Sequence, residues 1–266
     1  METFRKHGKA PYRVAVVHGG PGAAGEMAPV AAELAAEWGI LEPFQTALSV
    51  TGQVDELVSL LVSHGDPPVI LVGFSWGAWL SYLLAAAEPT LVKKLILVGS
   101  PPFEESYVAQ IRATRLGRMS DEERAEYDAL SLVLDDPDRE NRNAALARIG
   151  TLTSKAEAYD AAPTDSGATE CQADIFSSVW NEAAALRRDG ALLTHGHNIQ
   201  CPVVALHGDH DPHPADGVEK PLSRVLSDFR FILLERCGHK PWIEKQARSA
   251  FFQELGKEIR RSAPAR

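Results

Sequence analysis

The sequence predicts an α/β protein: a doubly wound, mostly parallel sheet of about six strands, interrupted by an all-helical insertion. Three observations lead there. Short runs of Val, Ile and Leu recur that are continuous rather than alternating, as strands buried on both faces require. Helical patterns lie between most of these runs. Strand signals then disappear for about a hundred residues after Pro101 and return before the chain ends.

The first strand, Tyr12 to Val17, runs into His18-Gly19-Gly20-Pro21-Gly22, a turn in which small residues let the backbone bend sharply. A helical pattern over Ala28 to Trp38 leads to a weaker run at Ile40 to Gln45, and another over Gln53 to His64 leads to Val69 to Val72. Gly73-Phe74-Ser75-Trp76-Gly77 follows that strand and opens a helix reaching Glu88. Leu95 to Val98 is the fourth strand. The insertion, 101–200, holds a capping-box start at Ser120-Asp121-Glu122-Glu123 and a long helical pattern from Glu170 to Arg188. Val203 to Leu206 and Phe229 to Leu234 restore the strand rhythm, and an amphipathic helix from about Pro241 to Arg260 closes the chain. Ser262 to Arg266 read as a disordered tail. The expected division is therefore a core of residues 1–100 and 201–266 carrying an insertion of residues 101–200.

Composition narrows the function classes. With 45% hydrophobic and 24% charged residues the chain has the make-up of a globular protein and not of a disordered or fibrous one. A net charge of −9 argues against nucleic acid, because a polyphosphate bound without a basic surface forgoes counterion release. No run approaches the roughly 18 apolar residues of a spanning helix, and Met1 to Gly8 has no apolar signal core, so no membrane partner and a cytoplasmic location are expected. Cys171, Cys201 and Cys237 form no CxxC pair, which suits reduced thiols and excludes a cysteine-ligated zinc.

Four motifs carry chemistry: the His18 loop, Gly73-Phe74-Ser75-Trp76-Gly77, Gly208-Asp209-His210-Asp211-Pro212, and Cys237-Gly238-His239-Lys240-Pro241-Trp242. Each follows an apolar, β-branched run. Glycines two residues either side of a serine relieve the crowding of a strained strand-to-helix turn that lifts the hydroxyl clear of the sheet. In this order the motifs resemble the α/β-hydrolase superfamily, and the His18 loop together with Ser75-Trp76-Gly77 looks most like its proline iminopeptidase and esterase-like branch. The resemblance implies that 101–200 is a cap, and that Ser75, His239 and Asp211 are nucleophile, base and orienting acid. Two departures stand out. Glu42-Pro43-Phe44-Gln45-Thr46 replaces the branch's Asp-Gln-Arg-Gly stretch, and too few residues precede Tyr12 for the family's N-terminal hairpin, which is expected to be absent. The remaining strands are expected in spatial order 2-1-3-4-5-6, with the switch point between the strands ending at His18 and Gly73.

A serine hydroxyl needs a base within hydrogen-bond reach, and that base needs a third group to fix its tautomer. Ser75 could instead be an ordinary helix N-cap, and His239, one of nine histidines, a loop residue. Asp209 competes with Asp211 for the acid; the Gly-x-x-Asp-Pro pattern of the family favours Asp211 and leaves Asp209 as a turn residue. The oxyanion donors are expected from the Trp76 N–H and from Gly20, with Gly19 in reserve, since Pro21 has no N–H to give. His207, Asp209, His210, Asp211 and His213, with His195 and His197, invite a metal reading that the spacing supplies only in part, so no metal and no cofactor are expected. His195 and His197 read as solvent-facing.

Phe103, Tyr107, Phe176 and Trp180 could present aromatics over Ser75 as a substrate pocket, although aromatics at helical spacing also serve as core. Glu104 and Glu105 could meet a substrate amine or form a solvated helical turn. These features together predict a cofactor-free serine hydrolase, monomer or homodimer, cleaving a small-molecule ester or amide through an acyl-enzyme. An iminopeptidase-like aminopeptidase is the alternative, and a non-catalytic ligand receptor on the same fold is the alternative of another class.

Overall fold

The computed structural model describes residues 3–163 and 170–262. Its centre is a seven-stranded sheet formed by β1 (Phe4–His7), β2 (Val14–Val17), β4 (Ile40–Pro43), β5 (Val69–Phe74), β6 (Val92–Val98), β8 (Val203–Gly208) and β9 (Phe229–Leu234), in spatial order β1-β4-β2-β5-β6-β8-β9. From β4 to β9 every pairing is parallel, in the expected order. The sheet has one strand more than the six expected: the residues before Tyr12, too few for a hairpin, contribute a single strand. Phe4–His7 runs antiparallel to Ile40–Pro43 and covers the edge that would otherwise be open. Its residues, Phe-Arg-Lys-His, lack an apolar run because both the outer edge and much of its faces meet solvent.

Alternate residues of each inner strand enter opposite cores, which is why their sequences are continuously apolar. Ala15, Val17, Leu71, Leu95 and Leu97 pack with α2 (Val50–His64), α3 (Trp76–Ala87) and α9 (Asp216–Val225). Val14, Val16, Ile70, Val72, Ile96 and Val98 pack with α1 (Ala28–Leu34) and α10 (Arg248–Ser262). Helix α3 is buried almost all round, consistent with its Trp-Gly-Ala-Trp-Leu-Ser-Tyr-Leu-Leu composition. Helix α9 carries Pro221 in its interior, which obscures its pattern in the sequence. The last helix starts at Arg248 and not near Pro241, because Pro241–Ile243 form a 3₁₀ turn first. It also takes in Ser262, placed in the expected tail; 263–266 lie outside the described residues.

Between β6 and β8 the chain forms α4 (Val108–Gly117), α5 (Asp121–Asp135), α6 (Arg142–Glu157), α7 (Ala173–Arg188) and the single turn α8 (Ala191–Thr194). The Ser120 capping box is present, with Ser120 Oγ accepting from the Glu123 N–H and the Glu123 carboxylate accepting from the Ser120 N–H. The region is not wholly helical. β7 (Glu170–Cys171) pairs antiparallel with β3 (Ala23–Ala24), fastening the insertion to the segment after the His18 loop. Nor is it a separate layer throughout: Ile175, Val179 and Ala183 of α7 enter the same core as Trp79 and Leu83 of α3, and the Tyr82 hydroxyl donates to the Leu193 carbonyl at 2.9 Å. The outer helices rely on two small clusters, Met119 with Leu152 and Ala156, and Leu134 with Leu146 and Ala173. No described helix is long and apolar enough to cross a membrane.

Candidate active site

Ser75 stands between β5 and α3 with φ 50° and ψ −118°, a conformation that costs an L-residue roughly 1–3 kcal/mol and persists only where surroundings impose it. The Ser75 N–H donates to the Val98 carbonyl of the next strand at 3.0 Å. Close packing supplies the rest of the constraint. A Cβ on Gly77 would lie 2.3 Å from the Val17 carbonyl and 2.5 Å from that of His18, so the first turn of α3 rests directly on the end of β2. Gly77→Ala is therefore expected to cost about 3 kcal/mol, lowering Tm by about 6–12 °C or preventing folding, which thermal unfolding of the variant measures.

The same contact brings the His18 loop beside the Ser75 turn. Gly19 packs on the Phe74 ring, and Gly20 takes φ +102°, a region that side chains strongly disfavour. Trp76 is the first residue of α3, so its N–H has no carbonyl one turn earlier to bond and lies at the positive end of the helix dipole. Its indole is anchored elsewhere, donating to Gln53 Oε1 at 2.9 Å.

Asp211 follows β8 and His239 follows β9. The Asp211 Oδ2 lies 2.7 Å from His239 Nδ1, with both side chains almost wholly buried. The His239 ring packs against Phe74, the residue before Ser75, at 4.8 Å between centroids. Burial alone would raise the Asp211 carboxyl, but the imidazoles of His239, His213 and His207 hold it well below the usual carboxylate range. Burial likewise works against a charged His239, yet the Asp211 and Glu157 carboxylates raise its pKa above 6.5. Asp209 instead accepts the Arg236 and Cys237 N–H groups, each at 3.0 Å, and so shapes the turn that delivers His239.

Several residues at this site carry no pattern in the sequence. His213 Nδ1 lies 2.7 Å from the second oxygen of Asp211, which also accepts the His213 N–H at 2.9 Å. Arg115 of α4 reaches His213 Nε2 at 3.3 Å and pairs with Glu157 at 2.5 Å. The Glu157 carbonyl accepts the His239 N–H at 3.2 Å. Fully buried Glu244 accepts from Gly238 at 2.9 Å and from Tyr159 and Asp160 at 2.8 Å, tying the His239 loop to the end of the insertion. The only hint of these roles was the density of histidine and acid after Gly208.

Asp211, His213 and His239 present ligand atoms within 4.8 Å of one another, a spacing compatible with a metal ion. Both imidazole Nδ1 atoms are already at hydrogen-bond distance from separate oxygens of the carboxylate, so each ring already has a partner on that nitrogen. His195 and His197 lie exposed on a 3₁₀ turn.

The four aromatics separate. Phe103 is fully buried between Tyr82 and Trp79, at 4.9 and 6.2 Å between centroids, and belongs to the core beneath α3. Tyr107 packs over Gly217 of α9. Trp180 stacks on Trp79 at 5.6 Å, Phe176 stacks on Trp180 at 6.3 Å, and both residues of α7 are half-buried. Glu105 pairs with Arg187 at 2.9 Å and Glu104 pairs with Arg224.

The sequence over residues 14–254 matches the family described as Alpha/beta hydrolase family. Among solved structures, VinJ superposes with a TM-score of 0.72 at 20% identity, covering 98% of this chain and 95% of that one. The esterase RhEst1 from Rhodococcus sp. ECU1013 gives 0.65 at 17% identity, covering 98% and 94%. E-2-(Acetamidomethylene)succinate Hydrolase gives 0.62 at 18%, covering 97% and 94%. These likenesses are of fold. No curated protein is matched by the sequence.

Proposed function

The chain belongs to the alpha/beta hydrolase family, and from that premise we propose that it is a serine hydrolase cleaving a small-molecule ester or amide through an acyl-enzyme. Family membership supports hydrolysis as the general chemistry. The observation that carries the finer reading is the 2.7 Å contact of Asp211 with His239 beside the strained turn at Ser75.

In this mechanism Asp211 accepts the Nδ1–H of His239 and leaves Nε2 bare. The Ser75 hydroxyl attacks the substrate carbonyl carbon and gives its proton to His239 Nε2. The oxyanion that forms is met by the N–H groups of Trp76 and Gly20. Collapse expels the alcohol or amine, which leaves with the proton held by His239. Water then adds to the acyl-enzyme by the same route, giving up a proton to His239, and returns the acid and free Ser75. Residues 101–200 act as the cap, and Phe176 and Trp180, stacked outward from Trp79 one turn beyond Ser75, form an apolar wall for the acyl group.

An aminopeptidase needs a free acidic pair for the substrate ammonium, and Glu104 and Glu105 are both held by arginines. Esters are therefore expected to be cleaved faster than aminoacyl amides. A raised His239 pKa also fixes the sign of the pH response: kcat/KM falls as pH drops through a midpoint above 6.5, because the protonated ring cannot act as base. A flat profile between pH 5 and 9 would count against His239.

The test that needs no substrate is intact-mass analysis after a fluorophosphonate. One stoichiometric adduct mapped to Ser75 is expected. Folded protein that takes up none, and turns over no p-nitrophenyl ester, would favour the ligand-receptor alternative.

A further inference from the structure

We propose that His213 is a positioning residue for the reaction above, a neutral imidazole that fixes the orientation of Asp211, with Arg115 fixing the tautomer of His213 in turn. The inference rests on the serine-hydrolase reading for its catalytic consequence, and on donor geometry for the arrangement itself.

The guanidinium of Arg115 can only donate hydrogen bonds. It lies 3.3 Å from His213 Nε2, so that nitrogen accepts and carries no proton. In a neutral ring the proton then sits on Nδ1, which donates to Asp211 Oδ1 at 2.7 Å. Burial keeps the ring neutral, pushing its pKa down to about 4 against the pull of Asp211. The His213 N–H adds a second bond to the same oxygen at 2.9 Å, and His207 Nε2 donates to the His213 carbonyl at 2.8 Å, which holds the peptide in place.

Asp211 thus receives one imidazole N–H on each oxygen. The two histidines have opposite fates. His239 keeps Nε2 for proton transfer, whereas the Nε2 of His213 is occupied by Arg115, so the aspartate activates only one base. Two bonds on Oδ1 also stop the carboxylate from turning about its Cβ–Cγ bond, and keep Oδ2 directed at His239. A buried carboxylate oxygen that loses the imidazole donor keeps only the peptide N–H and is left under-satisfied where it stands. Because Arg115 comes from α4 and its partner Glu157 ends α6, the insertion supplies the group that sets this tautomer.

The test uses the full-length enzyme with a p-nitrophenyl ester, comparing His213→Ala and His213→Asn. Alanine should lower kcat by about tenfold to a hundredfold with KM within about twofold. Asparagine, whose Nδ2–H can reach Asp211 Oδ1 from a position near that of the imidazole Nδ1, should restore kcat to within about threefold of wild type. In parallel, ¹⁵N-histidine NMR of the wild-type protein at pH 7, with the His213 signal assigned by its loss in the Asn variant, should show Nδ1 protonated and Nε2 bare. A folded Ala variant within twofold of wild-type kcat overturns the proposal. So does a folded Asn variant no better than the Ala variant, or a His213 ring protonated on Nε2. Should the Ala variant not fold, the Asn variant and the wild-type spectrum decide: Asn as inactive as Ser75→Ala overturns it. Wild-type protein without Ser75-dependent turnover would defeat the hydrolase reading instead, and the NMR tautomer would still decide the His213 arrangement.

Discussion

Replacing Ser75 by alanine is expected to reduce ester turnover by about 10⁴-fold or more and to abolish the fluorophosphonate adduct, while the fold survives. The effect is large because the hydroxyl supplies the bond-forming atom, and no neighbour can substitute for it. The three cysteine thiols are pushed up by burial, that of Cys201 to about 11, so a thiolate does not take over. Stability should change little: alanine retains the Cβ, and the strained φ of 50° is imposed by the Val98 bond and the packing of α3 on β2, both untouched. Circular dichroism and Tm of the variant check that condition, and ester hydrolysis at saturating enzyme measures the residue of activity. Turnover within tenfold of wild type in folded Ser75→Ala would exclude the nucleophile assignment. If activity also vanished with a chelator, the Asp211, His213 and His239 cluster would become the centre of a metal mechanism.

Asp211→Asn should cost about 10⁴-fold in kcat through the tautomer of His239. An asparagine has one accepting and one donating end, yet both imidazoles present a proton to this side chain. One of them must give way. Were the amide N–H₂ to face His213, that ring would have to move its proton to Nε2, where Arg115 already donates at 3.3 Å. The lower-energy choice turns the amide nitrogen toward His239, which then carries its proton on Nε2 and cannot accept one from Ser75. Steady-state kinetics give the loss, and raised pH does not rescue it, since the fault is a tautomer and not a charge. A loss below about tenfold would show that Asp211 does not orient the base.

Much of this could be read in the chain itself, for identifiable reasons. Strands whose two faces both enter a core must be apolar at every position, so Val69 to Val72 and Leu95 to Val98 announce themselves, and the glycines around Ser75 mark a turn whose crowding leaves no room for a side chain. Asp211 and His239 follow from strand ends and the family pattern. Phe4–His7 was illegible because an edge strand with wet faces has no reason to be apolar. Two residues of β7 cannot form a pattern at all. His213 hid among neighbouring histidines: its role depends on Arg115, about a hundred residues earlier in the chain, and such a distant pairing leaves no local mark. The aromatic expectations divided for the same reason, since spacing alone cannot tell Phe103 in the core from Trp180 on its margin.

Helix α7 contributes Ile175, Val179 and Ala183 to the core that also holds Trp79 and Leu83, whereas α4, α5 and α6 contribute nothing to that core and pack in two small clusters, one of which takes in Ala173 of α7. The insertion is therefore not one exchangeable module. A chimaera that took its entire 101–200 segment from a relative would remove a wall of the host's own interior and expose α3. Grafts that keep α7 and replace only the helices before it leave that interior closed, and those that also retain Arg115 and Glu157, which meet His213 and His239, are where new substrate preferences can be installed at least risk to the fold.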